Sequence, residues 1–235
     1  MPQKTIAGFT LIEATIVLVV IGFIIAAIVK GGSVMKSAKL RSIISQVEEY
    51  KVSVNSFKAA YGQLPGDFDD ASAYWSSGTI VDGDNNGQIE FQNSSDDYEG
   101  YNAWQHLSNA RMVELPFVGT ETTGVAVINT DIPEAIKGGG YFFHFDSANV
   151  ISLGNPTTPN TVDDPDTIRI NGSITGFEAH EIDSKTDDSL PTTGMTRSAD
   201  GNDASAGDCV ETPANIYNVS SVDIGCYISF TMTQQ

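Results

Sequence analysis

The sequence predicts an α+β protein: a long N-terminal helix, membrane-spanning in its first half, packed on a C-terminal head with an antiparallel sheet and short helices. Three observations predict it. Residues 9–29 are apolar at all but four positions. Residues 40–61 keep an apolar stripe at helical spacing. Beyond them, short aromatic and β-branched runs alternate with turns rich in Gly, Asn and Asp, and with further helical stretches.

The chain has 235 residues, enough for one sizeable core or two small ones. Its formal charge of −18 is unevenly spread. Residues 1–58 hold seven of the twelve basic side chains and three of the thirty acidic ones. Residues 59–235 hold five basic and twenty-seven acidic side chains, a net of −22. A surface this acidic repels nucleic-acid phosphates and anionic lipid, and suits a solvated domain or cation binding. The two cysteines, Cys209 and Cys226, lie within the last 27 residues. They fit one disulfide in an oxidising compartment, or else two buried thiols.

Residues 1–8 are short and polar, with a single cation, Lys4. The next 21 positions are interrupted only by Thr10, Glu13, Thr15 and Gly22. At about 1.5 Å per residue they span roughly 32 Å, the thickness of a bilayer core. In an ordinary secretory signal the small residue of the cleavage site follows the apolar stretch. Here Gly8 precedes it, so cleavage there leaves the hydrophobic helix on the mature chain. Glu13 is the second unusual feature. A carboxylate within a membrane helix costs roughly 2.5–3.5 kcal/mol. Cleavage after Gly8 frees an amino group on Phe9, one helical turn from Glu13 and at the positive end of the helix dipole. The amine of a neighbouring chain serves equally, and the pair then sets register between subunits. Otherwise Glu13 lies at the interface level, neutral or snorkelling.

The run Gly8-Phe9-Thr10-Leu11-Ile12-Glu13, with the apolar helix behind it, resembles the prepilin peptidase site of type IV pilins and type II secretion pseudopilins. The resemblance implies a leader, 1–8, removed by prepilin peptidase; a methylated N-terminal Phe9; and Glu13 as the docking acid of the filament. It also implies a self-polymerising subunit, held in the inner membrane with its head outside the cytoplasm until an assembly platform extracts it. The chain departs from the pattern twice. Lys30 stands near where many relatives carry a helix-breaking proline, though Gly31-Gly32 alongside weaken the helix by roughly 1 kcal/mol each. Lys30, Lys36, Lys39 and Arg41 follow the apolar stretch, so charge counting alone puts the C-terminal side in the cytoplasm. The leader, the acidic head and the cysteines argue for the opposite orientation.

The implied organisation is a leader at 1–8, a transmembrane or filament-core helix at 9–29, an amphipathic continuation at 30–62 and an acidic head at 63–235. Leu40, Ile43, Val47, Tyr50, Val54, Phe57 and Tyr61 form the stripe, while Ser42, Gln46, Glu49, Ser53 and Lys58 fill the polar face. Gly62, Pro65 and Gly66 stop the helix. The run from Tyr61 to Asp67, Tyr-Gly-Gln-Leu-Pro-Gly-Asp, also resembles large pilin-like sequences. Helices are predicted over 68–75, over 97–113 with Tyr101, Trp104, Leu107 and Arg111 on one face, and over 175–185. Strands are predicted at 141–145, 150–153, 168–170 and 226–232.

Asp82-Gly83-Asp84-Asn85-Asn86-Gly87-Gln88-Ile89-Glu90 carries oxygen ligands at alternate positions and Gly at the sixth, the pattern of an EF-hand-like calcium loop. Asp82, Asp84 and Asn86 take positions one, three and five; Gln88 offers its carbonyl at seven. Position twelve is Asn93 where a bidentate acid is expected, with Glu90, Asp96 or Asp97 as substitutes. The bland reading is a turn with solvated acids. Asp183, Asp187 and Asp188 form a second acidic group, which the resemblance to calcium-binding pseudopilin loops also marks for calcium. There the alternative is a solvated turn with Lys185 as counter-charge. Asp163, Asp164 and Asp166 read as loop acids. The histidines, His106, His144 and His180, are widely separated, and no zinc-protease, serine-hydrolase or phosphate-loop motif occurs. The expectation is therefore a non-enzymatic filament subunit. The competing reading is a membrane-anchored calcium- or carbohydrate-binding module that does not polymerise.

Overall fold

The computed structural model describes residues 10–76, 80–91, 98–119, 126–157 and 169–232, except the side chains of Val29, Ser33, Thr157 and Arg169. Gly8, Phe9, Asn93, Asp96, Asp97 and the acids at 163, 164 and 166 lie outside the described residues. The chain divides into two units, Met1–Lys39 and Leu40–Gln235.

Helix α1 spans Leu11–Tyr61. It runs unbroken through Gly31-Gly32, where the paired glycines suggested a weak point. In the first unit its described side chains are exposed, Leu11 by 84% and Phe23 by 73%. In the second unit Leu40, Ile43, Val47, Val54 and Phe57 are buried and Tyr50 and Tyr61 half-buried, as the stripe predicts. Each large side chain so buried contributes about 1.5–3 kcal/mol. The buried face is wider than the spacing indicates. Ser53, assigned to the polar face, is buried; its Oγ donates to Met112 O at 3.0 Å and to Glu49 O at 3.0 Å. Gln46 Oε1 accepts from the Tyr141 hydroxyl at 3.0 Å. Both polar groups enter because a partner is waiting for them. Gly62 ends the helix at φ +83°, a left-handed conformation that glycine adopts without steric cost.

Helix α2, Ala71–Trp75, is shorter than predicted, and α3, Glu99–Asn109, stops before the predicted end at 113. At that end Arg111 takes φ +58° and its N–H donates to Ser108 O, while Met112 N–H donates to Leu107 O. These are the two hydrogen bonds of a Schellman cap, built here on arginine rather than glycine. Arg111 is therefore exposed beyond the helix and does not share the Tyr101–Trp104–Leu107 face. Those three side chains are fully buried.

A sheet follows. Strands β1, Gly140–Phe145, and β2, Asn149–Thr157, form a hairpin, and β3, Arg169–Asn171, pairs with the far end of β2. Helix α4, Gly176–Thr186, starts with a capping box between Thr175 and Glu178. Strand β4, Thr196–Asp200, is followed by a small hairpin, β5, Val210–Glu211, with β6, Ile216–Tyr217, and by β7, Cys226–Thr231. The order is β1-β2-β7-β4 and every pairing is antiparallel. Tyr141, Phe143, Ile151, Leu153, Ile228 and Phe230 form the inner face. Trp104 packs on Phe143 with ring centroids 4.6 Å apart, and Tyr50 on Tyr141 at 5.3 Å. Helices α1 and α3 thus cover one face of the sheet. Cys209 and Cys226 are joined, with Cα atoms 5.0 Å apart. That decides between a disulfide and free thiols.

Strands β4, β5 and β6 were not legible in the sequence. Strand β4 reads Thr-Arg-Ser-Ala-Asp, and its buried positions are hydroxyl residues. Thr196 Oγ1 pairs with Thr186 Oγ1 at 2.9 Å, and Ser198 Oγ lies 3.3 Å from the Tyr217 hydroxyl oxygen. These contacts substitute for apolar burial, so no alternating apolar signal appears.

Candidate functional site

The first candidate is the N-terminal turn of α1. Thr10 N–H donates to Glu13 Oε2 at 2.8 Å and the Thr10 hydroxyl donates to the same oxygen at 2.7 Å. Glu13 N–H lies 3.3 Å from Thr10 Oγ1. This reciprocal pattern is a capping box, so Glu13 closes the start of its own helix. Thr10 is the partner that sequence reasoning passed over, although Thr-x-x-Glu is its signature. Beyond Glu13 the helix carries no charged side chain until Lys30. The described side chains of this apolar stretch are exposed. The helix is long and apolar enough to cross a membrane.

The second candidate is the Asp82–Glu90 loop. The structure separates its first two acids. Asp82 turns to the start of α2, accepting from Ser72 N–H and from Ser72 Oγ, both at 2.7 Å. Asp84 instead gathers with Asp67 and Glu99, which sequence reasoning did not select, with carboxylate oxygens within 4.8 Å of one another. Asn86 Nδ2 donates to Asp84 at 3.2 Å and to Glu90 at 2.8 Å, and Asn86 Oδ1 accepts from Gln88 N–H at 2.8 Å. The loop amides already occupy this group. Asp67 accepts from Asn86 N–H at 2.8 Å and Gly87 N–H at 3.1 Å; Glu99 accepts from Asp84 N–H and Glu90 N–H, both at 3.2 Å. Burial pushes the Asp67 carboxyl up to about 6, against the lowering effect of those amides.

The third candidate is the end of α4. Asp183, Asp187 and Asp188 bring carboxylate oxygens within 4.8 Å of one another. Asp183 is fully buried. Its Oδ2 accepts from the Tyr217 hydroxyl at 2.8 Å, while Oδ1 has no hydrogen-bond partner of normal length. Burial raises its pKa; Tyr217 and the Ser189 amide lower it, and the Asp188 and Asp187 charges raise it further. Asp187 accepts from Met195 N–H and from Thr196 N–H, the latter at 3.0 Å. Asp188 accepts from Leu190 N–H at 2.9 Å and from the Thr193 hydroxyl at 2.6 Å. Gly194 is required here, because a Cβ would stand 1.9 Å from Asp187 Oδ2 and its φ is +74°. A buried oxygen without a partner is costly, and a divalent cation among these carboxylates would satisfy it.

The buried histidines are bound to the framework. His106 Nδ1 accepts from Gly66 N–H at 2.9 Å and its Nε2 lies 2.9 Å from Val81 O, while burial holds its pKa down to about 4. His144 Nε2 lies 2.8 Å from Ser152 Oγ, and burial likewise lowers it to about 4. Both rings are neutral at physiological pH.

The described residues thus define an architecture, an α+β unit in a chain that also carries a charge-poor apolar helix. No family model matches the chain and no curated protein matches it. Among solved structures it is similar to the major type IV pilin PilA1 from Clostridium difficile, at 12% identity and a TM-score of 0.37. That match covers 86% of this chain and 99% of the other. At this level the likeness carries no functional conclusion.

Proposed function

We propose that the chain is a structural subunit of a type IV pilus or type II secretion pseudopilus, cleaved between Gly8 and Phe9 and assembling through its N-terminal helix. The observation that carries this reading is the apolar first part of α1, whose described side chains from Leu11 to Lys39 are unburied, with one acid, Glu13, in its first turn. In a bilayer such a helix is satisfied by lipid. In a filament the same side chains pack against copies of themselves, exchanging lipid contacts for protein contacts. Prepilin peptidase and the inner-membrane assembly platform are the partners this requires. Mass spectrometry of the protein from cells tests it. The expected N-terminal residue is N-methylated Phe9. A retained leader would refute it and favour the anchored module that never polymerises.

Calcium belongs to this reading at Asp183, Asp187 and Asp188, supported by the buried Asp183 Oδ1, which has no hydrogen bond of normal length among the described residues. The Asp82–Glu90 loop is the weaker candidate, since backbone amides already hold Asp67 and Glu99. Calcium at about 100 times its Kd is expected to stabilise the protein by about 2.7 kcal/mol. That corresponds to a rise in Tm of about 5–10 °C. Asp183→Asn should abolish the rise, whereas Asp84→Asn should leave it. The opposite pattern moves the site to the Asp84 loop, and no rise with either variant or the natural chain removes calcium altogether.

A further inference from the structure

The outer face of the sheet carries a cleft of about 320 Å³. Side chains alternate between the faces of each strand. Ile228 and Phe230 point into the core, so Tyr227, Ser229 and Thr231 of β7 face outward and form its floor. Asp146, in the β1–β2 turn, contributes one wall and Arg197, on β4, the other. Strands β2 and β4 flank β7, so two strand spacings, about 10 Å, separate them.

Neither charged group has an ion-pair partner among the described residues. Arg197 Nε donates to Gly194 O at 3.2 Å, and its terminal nitrogens have no hydrogen bond or ion pair among the described residues. The Asp146 carboxylate accepts no hydrogen bond there either, although its charge reaches Tyr227 and His144. Arg197 is one of only five cations in residues 59–235, against twenty-seven acids. Lys137 and Lys185, two of the others, are paired with Glu178 and Glu181, both at 2.7 Å. An arginine left unpaired in so acidic a region, sharing a cleft with an unpaired aspartate that it does not reach, leaves room for a ligand between them. The Arg197 wall is also preorganised. The turn before it is pinned by the bonds to Asp187 and Asp188 and by Ser198 N–H donating to Pro191 O at 2.8 Å.

We propose that this cleft is a saccharide-binding site for one or two neutral sugar units, with Asp146 and Arg197 as its polar clamps. A hydroxyl both donates and accepts, so a polyol satisfies an acceptor-only carboxylate and a donor-only guanidinium together. A cation would face Arg197, and an anion would meet Asp146 and the field of the acidic head. Tyr227 supplies the partly exposed aromatic wall on which the C–H face of a sugar ring packs. The volume lies at the lower end of the range for small-ligand sites. A free amino-acid zwitterion would also match the two charges and is the competing ligand in the test. The site does not depend on whether the chain polymerises.

The test is calorimetric titration of the full chain in a detergent without a sugar headgroup. The probes are maltotriose, cellotriose and tri-N-acetylchitotriose, with trigalacturonate and glutamine as the anionic and zwitterionic comparisons. At least one neutral trisaccharide should bind with a Kd of about 1 mM or tighter. Arg197→Ala and Asp146→Ala should each weaken it about tenfold or more, the effect of losing a charge-assisted hydrogen bond. Neither should lower the thermal midpoint, because neither side chain makes an ion pair among the described residues. No binding of any neutral trisaccharide at about 10 mM would overturn the proposal. So would tighter binding of glutamine or trigalacturonate, or neutral-sugar affinity that both substitutions leave unchanged.

Discussion

Glu13→Ala is expected to abolish filament formation while the Leu40–Gln235 unit keeps its fold and its Cys209–Cys226 bridge. Two effects of the substitution have to be separated. Locally, Glu13 accepts from the amide and hydroxyl of Thr10, a capping interaction worth about 1 kcal/mol. Losing it frays one turn. Between subunits, the proposed role is a carboxylate opposite the new amine of Phe9 in a medium of low dielectric. Removing one partner of a buried pair costs about 3–5 kcal/mol, a hundredfold or more in an assembly equilibrium. Glu13→Gln distinguishes them, because the amide oxygen still caps Thr10 but carries no charge. Sheared-filament yield should fall about a hundredfold or more in both variants. Normal filaments from Glu13→Gln would reduce Glu13 to a capping residue and remove the docking role.

Trp104→Ala should lower the stability of the second unit by about 3–5 kcal/mol, measured by urea unfolding followed by near-ultraviolet circular dichroism. Trp104 is fully buried, with Tyr50 of α1 edge-on at 4.8 Å, Phe117 at 5.7 Å and Phe143 of β1 at 4.6 Å. It is the side chain through which α1, α3 and the sheet meet. Truncation leaves a cavity that these rings cannot close without moving. Trp104→Phe should cost much less, about 1 kcal/mol. The indole Nε1 is buried without a hydrogen-bond partner, so removing that N–H offsets part of the lost packing. A loss below about 1 kcal/mol for Trp104→Ala would mean that these layers are held elsewhere.

The long helix, its stripe, its stop at Gly62, the β1–β2 hairpin and the final strand were all legible because each is a local pattern. Where the pattern was not local, reading failed in specific ways. The end of α3 was missed because its left-handed cap is Arg111, which carries no glycine signal. Strand β4 was missed because Thr196 and Ser198 are buried by hydrogen bonds. Asp183, Asp187 and Asp188 were named together and do converge, whereas the spacing of the Asp82–Glu90 loop did not say which oxygens meet there. Asp82 spends its carboxylate on Ser72, and Asp84 meets Asp67 and Glu99 from segments remote in sequence.

The sequence by itself determined the apolar helix with its single acid, the periodicity of its amphipathic half, the charge of the remainder and the positions of the two cysteines. These follow from short-range steric and hydrophobic rules that each segment carries alone. Only the tertiary structure decided which carboxylates are spent on backbone amides, that Asp183 buries one oxygen without a hydrogen bond of normal length among the described residues, and that Asp146 and Arg197 face one cleft without meeting. Each of those outcomes depends on the distance between side chains brought together by strand order and loop course, and no local propensity specifies that distance.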